Sequence, residues 1–432
     1  MHPADPPLHR ARHELARLGF ARASLVAALL TVLCRAPLLA ESFPVPTGQA
    51  LLRADGTAGM PAGYEPSGVA WHPRLERLLV VSDGGVLSQV NLDGTGYAAI
   101  KSGLGDLEGI AIANPASDLI YLALEGGTSG DTVKEFNLVS KGFTRTFSLT
   151  GNFSPHTDNS GVEALEFVRD LTAPEGGWFL AGRQQDGQVF VYSLPIQSSN
   201  SSTSVNFIGA FASGISDISG LHYDETQGVL YALHDGGNWL RAFKRGDGPL
   251  NWVLVKDWSS APGSHQEGVA LTGNRLVIAE DSNAGYIGGL VAYNGFPTVS
   301  VARTSLEAWR FQHFGTQFST GRAADFADAD LDGSTNLLEW AMGEDPLELA
   351  PGQPVQLALS GATVQLTYAR SESVPGSSLT LESSTDLSPG SWGVAPGTPD
   401  LVGTAPGRKL LQHTVPVDDS PRAFFRLRAT QP

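Results

Sequence analysis

One phrase recurs five times between residues 61 and 296, and it restricts the fold more than any other feature of the chain. It begins at Glu65 ("EPSGVAWHPRLERLLVVSDGG"), Asp106 ("DLEGIAIANPASDLIYLALEGG"), Ser160 ("SGVEALEFV"), Asp217 ("DISGLHYDETQGVLYALHDGG") and His265 ("HQEGVALTGNRLVIAEDS"). In each copy an acid or serine precedes a small residue, then alternating apolar residues, then a turn, then a second apolar run. Ser67, Glu108, Glu163, Ser219 and Glu267 hold the equivalent position, at spacings of 41, 55, 56 and 48 residues. A third apolar run often follows, as in "LSQVNLDG", "QVFVYSL" and "WLRAFKRG".

Units of this length with three or four antiparallel strands are the blades of a propeller, because one such sheet cannot bury both its faces alone. The 50 glycines and 27 prolines fit the turns this requires, since apolar runs interrupt them throughout. The expectation is a mainly β chain with a five- or six-bladed β-propeller over residues 43–298. A sixth blade would need residues 43–60 to pair with a late strand.

First strands of propeller blades line the central channel, so their starting residues converge at one mouth. Glu108, Glu163 and Glu267 are expected to face one another there, with Ser67 and Ser219 between them. A second set ends the second strands: Asp83, Glu125, Asp235, Glu280 and Asp281. Converging carboxylates repel unless they are protonated, hydrogen-bonded or bound to cations. Three readings are open: the acids lock adjacent blades through backbone N–H groups, they hold a channel cation such as calcium, or that cation or a carboxylate pair performs hydrolysis. His72, His222, His234 and His265 lie in or beside the motif as acid–base candidates. The chain has no G-x-S-x-G, H-E-x-x-H or P-loop signature, which excludes the common serine hydrolase, zinc protease and nucleotide-hydrolase readings.

"DLEGIAI", "SGVEALEF", "DISGLHYDETQGVLYALHD" and "HQEGVAL…RLVIAED" resemble the SdiA-regulated family of exported bacterial β-propellers. The resemblance covers most of residues 61–296 and implies a propeller fold, with no settled activity. The third copy departs from it, with Ala164 where glycine is common. Looser similarity reaches phytase-like and lactonase propellers, in which carboxylates surround calcium.

After Phe296 the pattern changes. Thr304 and Glu307 have capping-box spacing at the head of a helix, and "NLLEWAMG", ended by Gly343, is its expected partner helix. Between them lies "DADLDGSTNLLE". Asp328, Asp330, Asp332, Ser334, Asn336 and Glu339 take positions 1, 3, 5, 7, 9 and 12 of a calcium loop, and Gly333 takes the sharp turn at position 6. Asp325 offers an alternative register. This linker, residues 299–346, resembles the calcium linkers of the thrombospondin type 3 and dockerin kind, but a dockerin carries two copies. Residues 347–432 alternate again ("TVQLTYAR", "SLTLESSTD", "AFFRLRA") and are expected to form a small β-sandwich suited to surface attachment or a protein contact.

At the other end, Arg10, Arg12, Arg17 and Arg22 precede the apolar run "LVAALLTVL". That run is too short to span a bilayer and suits the core of a signal peptide over residues 1–42, cut after Ala40 or Ser42. Cys34, the only cysteine, lies inside this leader, so the exported chain has no disulfide. Cleavage after Ala40 removes five arginines and two acids and takes the net charge from −16 to −19. Such a surface repels nucleic acid and anionic membranes and favours cations. The reading is an exported, monomeric, calcium-binding propeller, periplasmic, cell-surface or extracellular, that binds an extracellular ligand or cell-surface protein. The alternatives are a calcium-dependent hydrolase of phosphoesters or lactones, and a structural envelope protein.

Overall fold

The five copies of the repeat become five separate sheets, each with four antiparallel strands, in the computed structural model. It describes residues 40–431 apart from 58, 127–129, 155, 157–159, 283–284, 351–353 and 417–421. The expected leader lies outside the described residues except for its last three. Of these, Glu41–Ser42 pair in parallel with Trp258 and Ser259. Cleavage after Ala40 would keep this pair and cleavage after Ser42 would remove it.

The described residues are mainly β. The sheets run Pro66–His72, Arg77–Ser82, Leu87–Val90, Ala98–Lys101; then Leu107–Ala111, Leu119–Leu124, Thr132–Asn137, Gly142–Ser148; then Val162–Arg169, Gly177–Arg183, Gln188–Ser193, Asn206–Ala212. The fourth holds Ile218–Asp224, Val229–His234, Trp239–Arg245 and Trp252–Ser259, with Glu41–Ser42 at its edge. The fifth holds Gln266–Thr272, Arg275–Glu280, Gly289–Asn294 and, outermost, Gln49–Arg53 from the other end of the chain. Residues 49–53 thus complete the fifth sheet, and no sixth sheet arises in this region among the described residues.

Every first strand carries an irregularity at the same place. The register shifts between Pro66 and Gly68, Leu107 and Gly109, Val162 and Ala164, Ile218 and Gly220, and Gln266 and Gly268. The residues skipped are Ser67, Glu108, Glu163, Ser219 and Glu267, the five equivalent positions of the repeat. A bulge frees one residue from the ladder and re-aims its side chain. This is the physical content of the motif.

The small residue that follows has a different cause. A Cβ on Gly109 would stand 2.5 Å from the backbone nitrogen of Leu165 in the next sheet, and one on Gly268 would stand 2.9 Å from the Cα of Gly68. First strands therefore approach backbone to backbone, which only a missing side chain permits. Their neighbour relations run from the first sheet through the second, third and fourth to the fifth, and from the fifth back to the first. Each individual sheet is open, with two edges.

Between adjacent sheets lie apolar layers. Leu79, Val81 and Leu87 of the first sheet meet Leu107, Ile110 and Leu122 of the second, all essentially buried. Tyr121 packs edge-on against Phe179, which meets Phe167 the same way. Each such side chain contributes about 1.5–3 kcal/mol by leaving water, and the alternation of the repeat supplies both faces.

Downstream, the helix Ser305–Phe314 starts in a complete capping box of Thr304 and Glu307 and ends at left-handed Gly315. Its end is bound to the sheets: Leu171 N donates to Phe314 O at 2.8 Å, and buried Arg245 pairs with Asp170 while donating to Gly315 O at 3.0 Å. The second helix, Asn336–Met342, ends at left-handed Gly343. Leu306, Leu337 and Trp340 from the two helices enter one core with Leu366, Tyr368 and Leu411 of one C-terminal sheet and Leu379, Leu381 and Leu427 of the other. The region from 299 onward is thus packed on both sides and does not dangle. No helix among the described residues is long and apolar enough to cross a membrane.

Candidate cation and ligand sites

Four of the five bulges bring Glu108, Glu163, Glu267 and Ser219 to one narrow cavity of about 10 Å³, room for about one water, while Ser67, expected there too, accepts Asp83 N at 2.9 Å instead. Glu108 is 8% exposed, Glu163 9% and Ser219 1%. Burial pushes Glu108 well above the ordinary carboxyl range, and the charges of Glu163 and Asp106 push it further. Burial does the same to Glu163, followed by Glu267 and Glu125. Glu267 rises to about 8, through burial and then Asp235 and Asp281. The strongest charges acting on all three are other carboxylates.

The hydroxyl of Ser219 is buried with no hydrogen-bond partner. A buried polar group without a partner costs roughly 1–3 kcal/mol, so a well-formed site supplies one. Buried Glu108 and Glu163, partly exposed Glu267 and an unpaired hydroxyl border a cavity for a single small species and form an all-oxygen donor set, looser than that of Asp328, Asp330 and Asp332, whose oxygens lie within 4.8 Å of one another. Hard divalent cations take such a set.

Around this cavity the second-strand acids divide by role. Glu125 accepts Gly161 N of the next sheet at 2.7 Å, and Asp235 accepts Gln266 N of the next sheet at 2.9 Å. These two perform the sheet-locking task. Asp83 is pushed up to about 7 by burial and then by Glu65. Glu280 does not join the group: its carboxyl accepts from Tyr286 at 2.5 Å, and it rises to about 7 through burial alone against that bond. The cause is strand parity. Glu280 is the last laddered residue, opposite Gln266, and the next residue, Asp281, turns toward the acids.

The repeat's opening letters were overlooked as site residues. Glu65 and Asp281 act on Asp83, Asp106 acts on Glu108 and Glu163, and Asp217 acts on Glu267. They lie two positions before the bulge in three of the five copies, a regularity visible in the sequence. Asp217 and His265 also hold positive φ, 63° and 53°, where the backbone is sparsely populated. Asp131, fully buried, binds His156 at 2.5 Å beside Glu125.

Of the four motif histidines, His72 and His234 are wholly buried. His72 accepts Leu75 N, and His234 bonds Ser216 O through Nδ1. His265 packs against Tyr286. His222 lies at the far ends of the same strands, 3.6 Å from Glu166. None reaches the cavity of the three glutamates.

The second candidate is local. Side-chain oxygens of Asp328, Asp330 and Asp332 lie within 4.8 Å of one another. Gly333 has φ +98°, and its N–H and that of Asp332 turn back onto Asp328. Glu339 is 0% exposed, and neither of its oxygens has a partner. Burial and then Asp330 and Asp332 push it up to about 8. One oxygen of Asp330 and the Oδ1 of Asn336 are also buried and unpaired, while the Asn336 amide donates to Arg322 O and Ala324 O at 2.8 Å each. The donor set therefore fits a calcium ion. Ser334 is buried, and its N–H donates to Asp332. Asp325 is taken up by Arg310 and Gln431, which removes the alternative register.

No family model matches the chain, and no curated protein does. The likeness to the SdiA-regulated family therefore rests on the quoted residues alone. Among solved structures, a functionally unknown protein from Desulfotomaculum acetoxidans DSM 771 aligns with TM-score 0.33 and 12% identity, over 50% of this chain and 63% of that one. Kuenenia stuttgartiensis hydrazine synthase aligns with TM-score 0.32 and 13% identity, over 52% of this chain and 58% of that one. The chain covers less than two thirds of either.

Proposed function

We propose that this is an exported, calcium-binding five-bladed β-propeller. Its axial carboxylates hold a divalent cation and, with it, an extracellular ligand or cell-surface partner. The return of the fifth first strand to the first, and the closure of the fifth sheet by residues 49–53, support the propeller. The basic, apolar N-terminus supports export. The unpaired Ser219 hydroxyl, in the same cavity as Glu108, Glu163 and Glu267, carries the cation reading.

Cation binding at the axis would replace protons on the buried glutamates and present a positive centre at a mouth ringed by acids. A ligand with carboxylate, phosphate or hydroxyl oxygens could then reach it. Calcium at the loop has a different task. Asp328, Asp330, Asp332, Asn336 and Glu339, with the Ser334 carbonyl, would hold it and brace the two helices against the C-terminal sheets, which serve attachment.

Calorimetric titration of calcium into the purified protein tests both sites. The wild type should bind two ions, Glu339→Gln should bind one, and Glu163→Gln added to it should bind none. If Glu339→Gln alone abolishes calcium binding, the axial site falls. Calcium-dependent turnover of a phosphoester and lactone panel, lost in Glu163→Gln, would move the reading to a hydrolase.

A further inference from the structure

The opposite ends of the five first strands open onto a second and much larger cavity, about 490 Å³. Four residues of extended chain, roughly 13 Å, separate Ser219 at one end from Tyr223 at the other. Val69, Ile110, Leu165, Leu221 and Val269 border the small axial cavity on the way, so an apolar girdle lies between the two sites. A cavity of this size accommodates a small organic molecule.

Its walls are apolar. Trp71, Ile112, Phe167 and Leu271 come from the first, second, third and fifth sheets, and Tyr223 from the fourth. Its acidic groups are Glu166, Asp224 and Glu225, with His222 and the neutral Thr226, Thr272 and Thr298 beside them and no lysine or arginine in the lining. Glu166 is fixed in place, accepting Phe167 N at 2.7 Å and, across to the fourth sheet, Tyr223 N at 2.8 Å. His222 stands 3.6 Å from it. Asp224 uses one oxygen to accept Thr226 N at 2.8 Å, and its other oxygen makes no hydrogen bond among the described residues. The nearest cation acting on Glu225 is Arg169, which lines the neighbouring cavity instead.

This combination sorts possible ligands. An anion would meet Asp224, Glu225 and a Glu166 that burial raises to about 8, with no lysine or arginine in the lining. A wholly apolar molecule would strip water from partly buried Asp224 and exposed Glu225 without replacing it, which is unfavourable for a charged group. An organic cation meets neither obstacle: its apolar body covers the indole and the aliphatic wall, and its charge faces carboxylates and the aromatic face.

We propose that this basin binds a small organic cation with an apolar body. The body lies against Trp71, Phe167 and Leu271, and the ammonium group faces Glu166 and Asp224. The site is independent of the axial cation: it uses the other end of the strands and none of the same side chains.

Three probes of one shape and different charge test this: 2-phenylethylammonium, 2-phenylethanol and phenylacetate, followed by calorimetry and tryptophan fluorescence. The ammonium should bind saturably and about tenfold or more tighter than the alcohol, with phenylacetate weakest. Asp224→Asn, which keeps an oxygen for Thr226 N, should narrow the gap between ammonium and alcohol. Trp71→Ala, at a half-buried position, should weaken both. Glu163→Gln, at the far mouth, should change neither, so the axial site can fail without this one failing. The proposal is overturned by no saturable binding of any probe. It is equally overturned by alcohol or phenylacetate binding as tightly as the ammonium, or by unchanged ammonium binding in a folded Trp71→Ala variant.

Discussion

Two groups of carboxylates in this molecule look alike in charge and differ in construction. The group at 328–339 takes all its members from twelve consecutive residues, and one glycine turn brings them together. The axial group takes Glu108, Glu163, Glu267 and Ser219 from four sheets up to 159 residues apart in the chain. In the first, backbone N–H groups of Asp332, Gly333 and Ser334 already satisfy part of the aspartate charge. In the second, the strongest charges acting on the glutamates are other carboxylates. The loop can form its geometry as soon as its own segment turns. The axial site exists only when the five first strands have come together, so its repulsion acts against the whole assembly. That difference makes the loop a local turn and the axis a cluster whose protonation is linked to folding.

The largest expected effect breaks the comparison at the loop. With calcium at a hundredfold excess over its dissociation constant, the protein should gain about 2.7 kcal/mol of stability. Chelation should reverse it, and Glu339→Gln should remove the loop's share. Thermal melts with calcium and with chelator measure this. If the melting temperature ignores chelation, the loop contributes no folding energy through metal.

The second effect is a pH dependence at the axis. Glu267 is raised from 4.5 to about 8 in the folded protein. The folded state therefore binds the proton more tightly than the unfolded state. Its stabilising contribution is complete below about pH 4.5 and is lost as pH rises through about 8, a change on the order of a few kcal/mol. Denaturant melts in chelator between pH 5 and 9 should show stability falling, and Glu267→Gln should flatten the slope. Stability rising across that range would contradict the axial electrostatics.

A smaller effect tests the close approach of the first strands. Gly268→Ala should cost about 1–3 kcal/mol, because its Cβ has no space beside Gly68. A neutral substitution in a urea melt would mean that these strands are not in backbone contact. The smallest effect is expected at Glu280, which faces Tyr286 and not the acids. Glu280→Gln should leave calcium stoichiometry unchanged, whereas Asp281→Asn should weaken axial binding.

Much of this was legible in the residues. The repeat phrase coincides with the five bulges, and its small residue with the close approach of neighbouring first strands. Glu108, Glu163 and Glu267 stand at three of the bulges. The convergence of Asp328, Asp330 and Asp332 follows a local spacing that the sequence displays. Glu280 was misplaced because alternation continues to the last ladder pair and then ends, and sequence does not mark that last pair. Glu65, Asp106 and Asp217 were read as letters of the repeat and not as charges at its centre. Glu166 and His222 lie inside the repeat phrases, but the phrases do not pair them. Their neighbours come from the far ends of five strands, and only the packing of the sheets brings them to one cavity.

The central claim is that the axial carboxylates and Ser219 enclose a divalent cation. Anomalous diffraction from crystals grown with manganese in place of calcium tests it most directly. The account predicts a peak on the axis within bonding distance of Glu108, Glu163 or Glu267, distinct from the peak at Asp328, Asp330 and Asp332 and absent in Glu163→Gln. A peak at the loop alone, with the axial cavity holding only water, would contradict it.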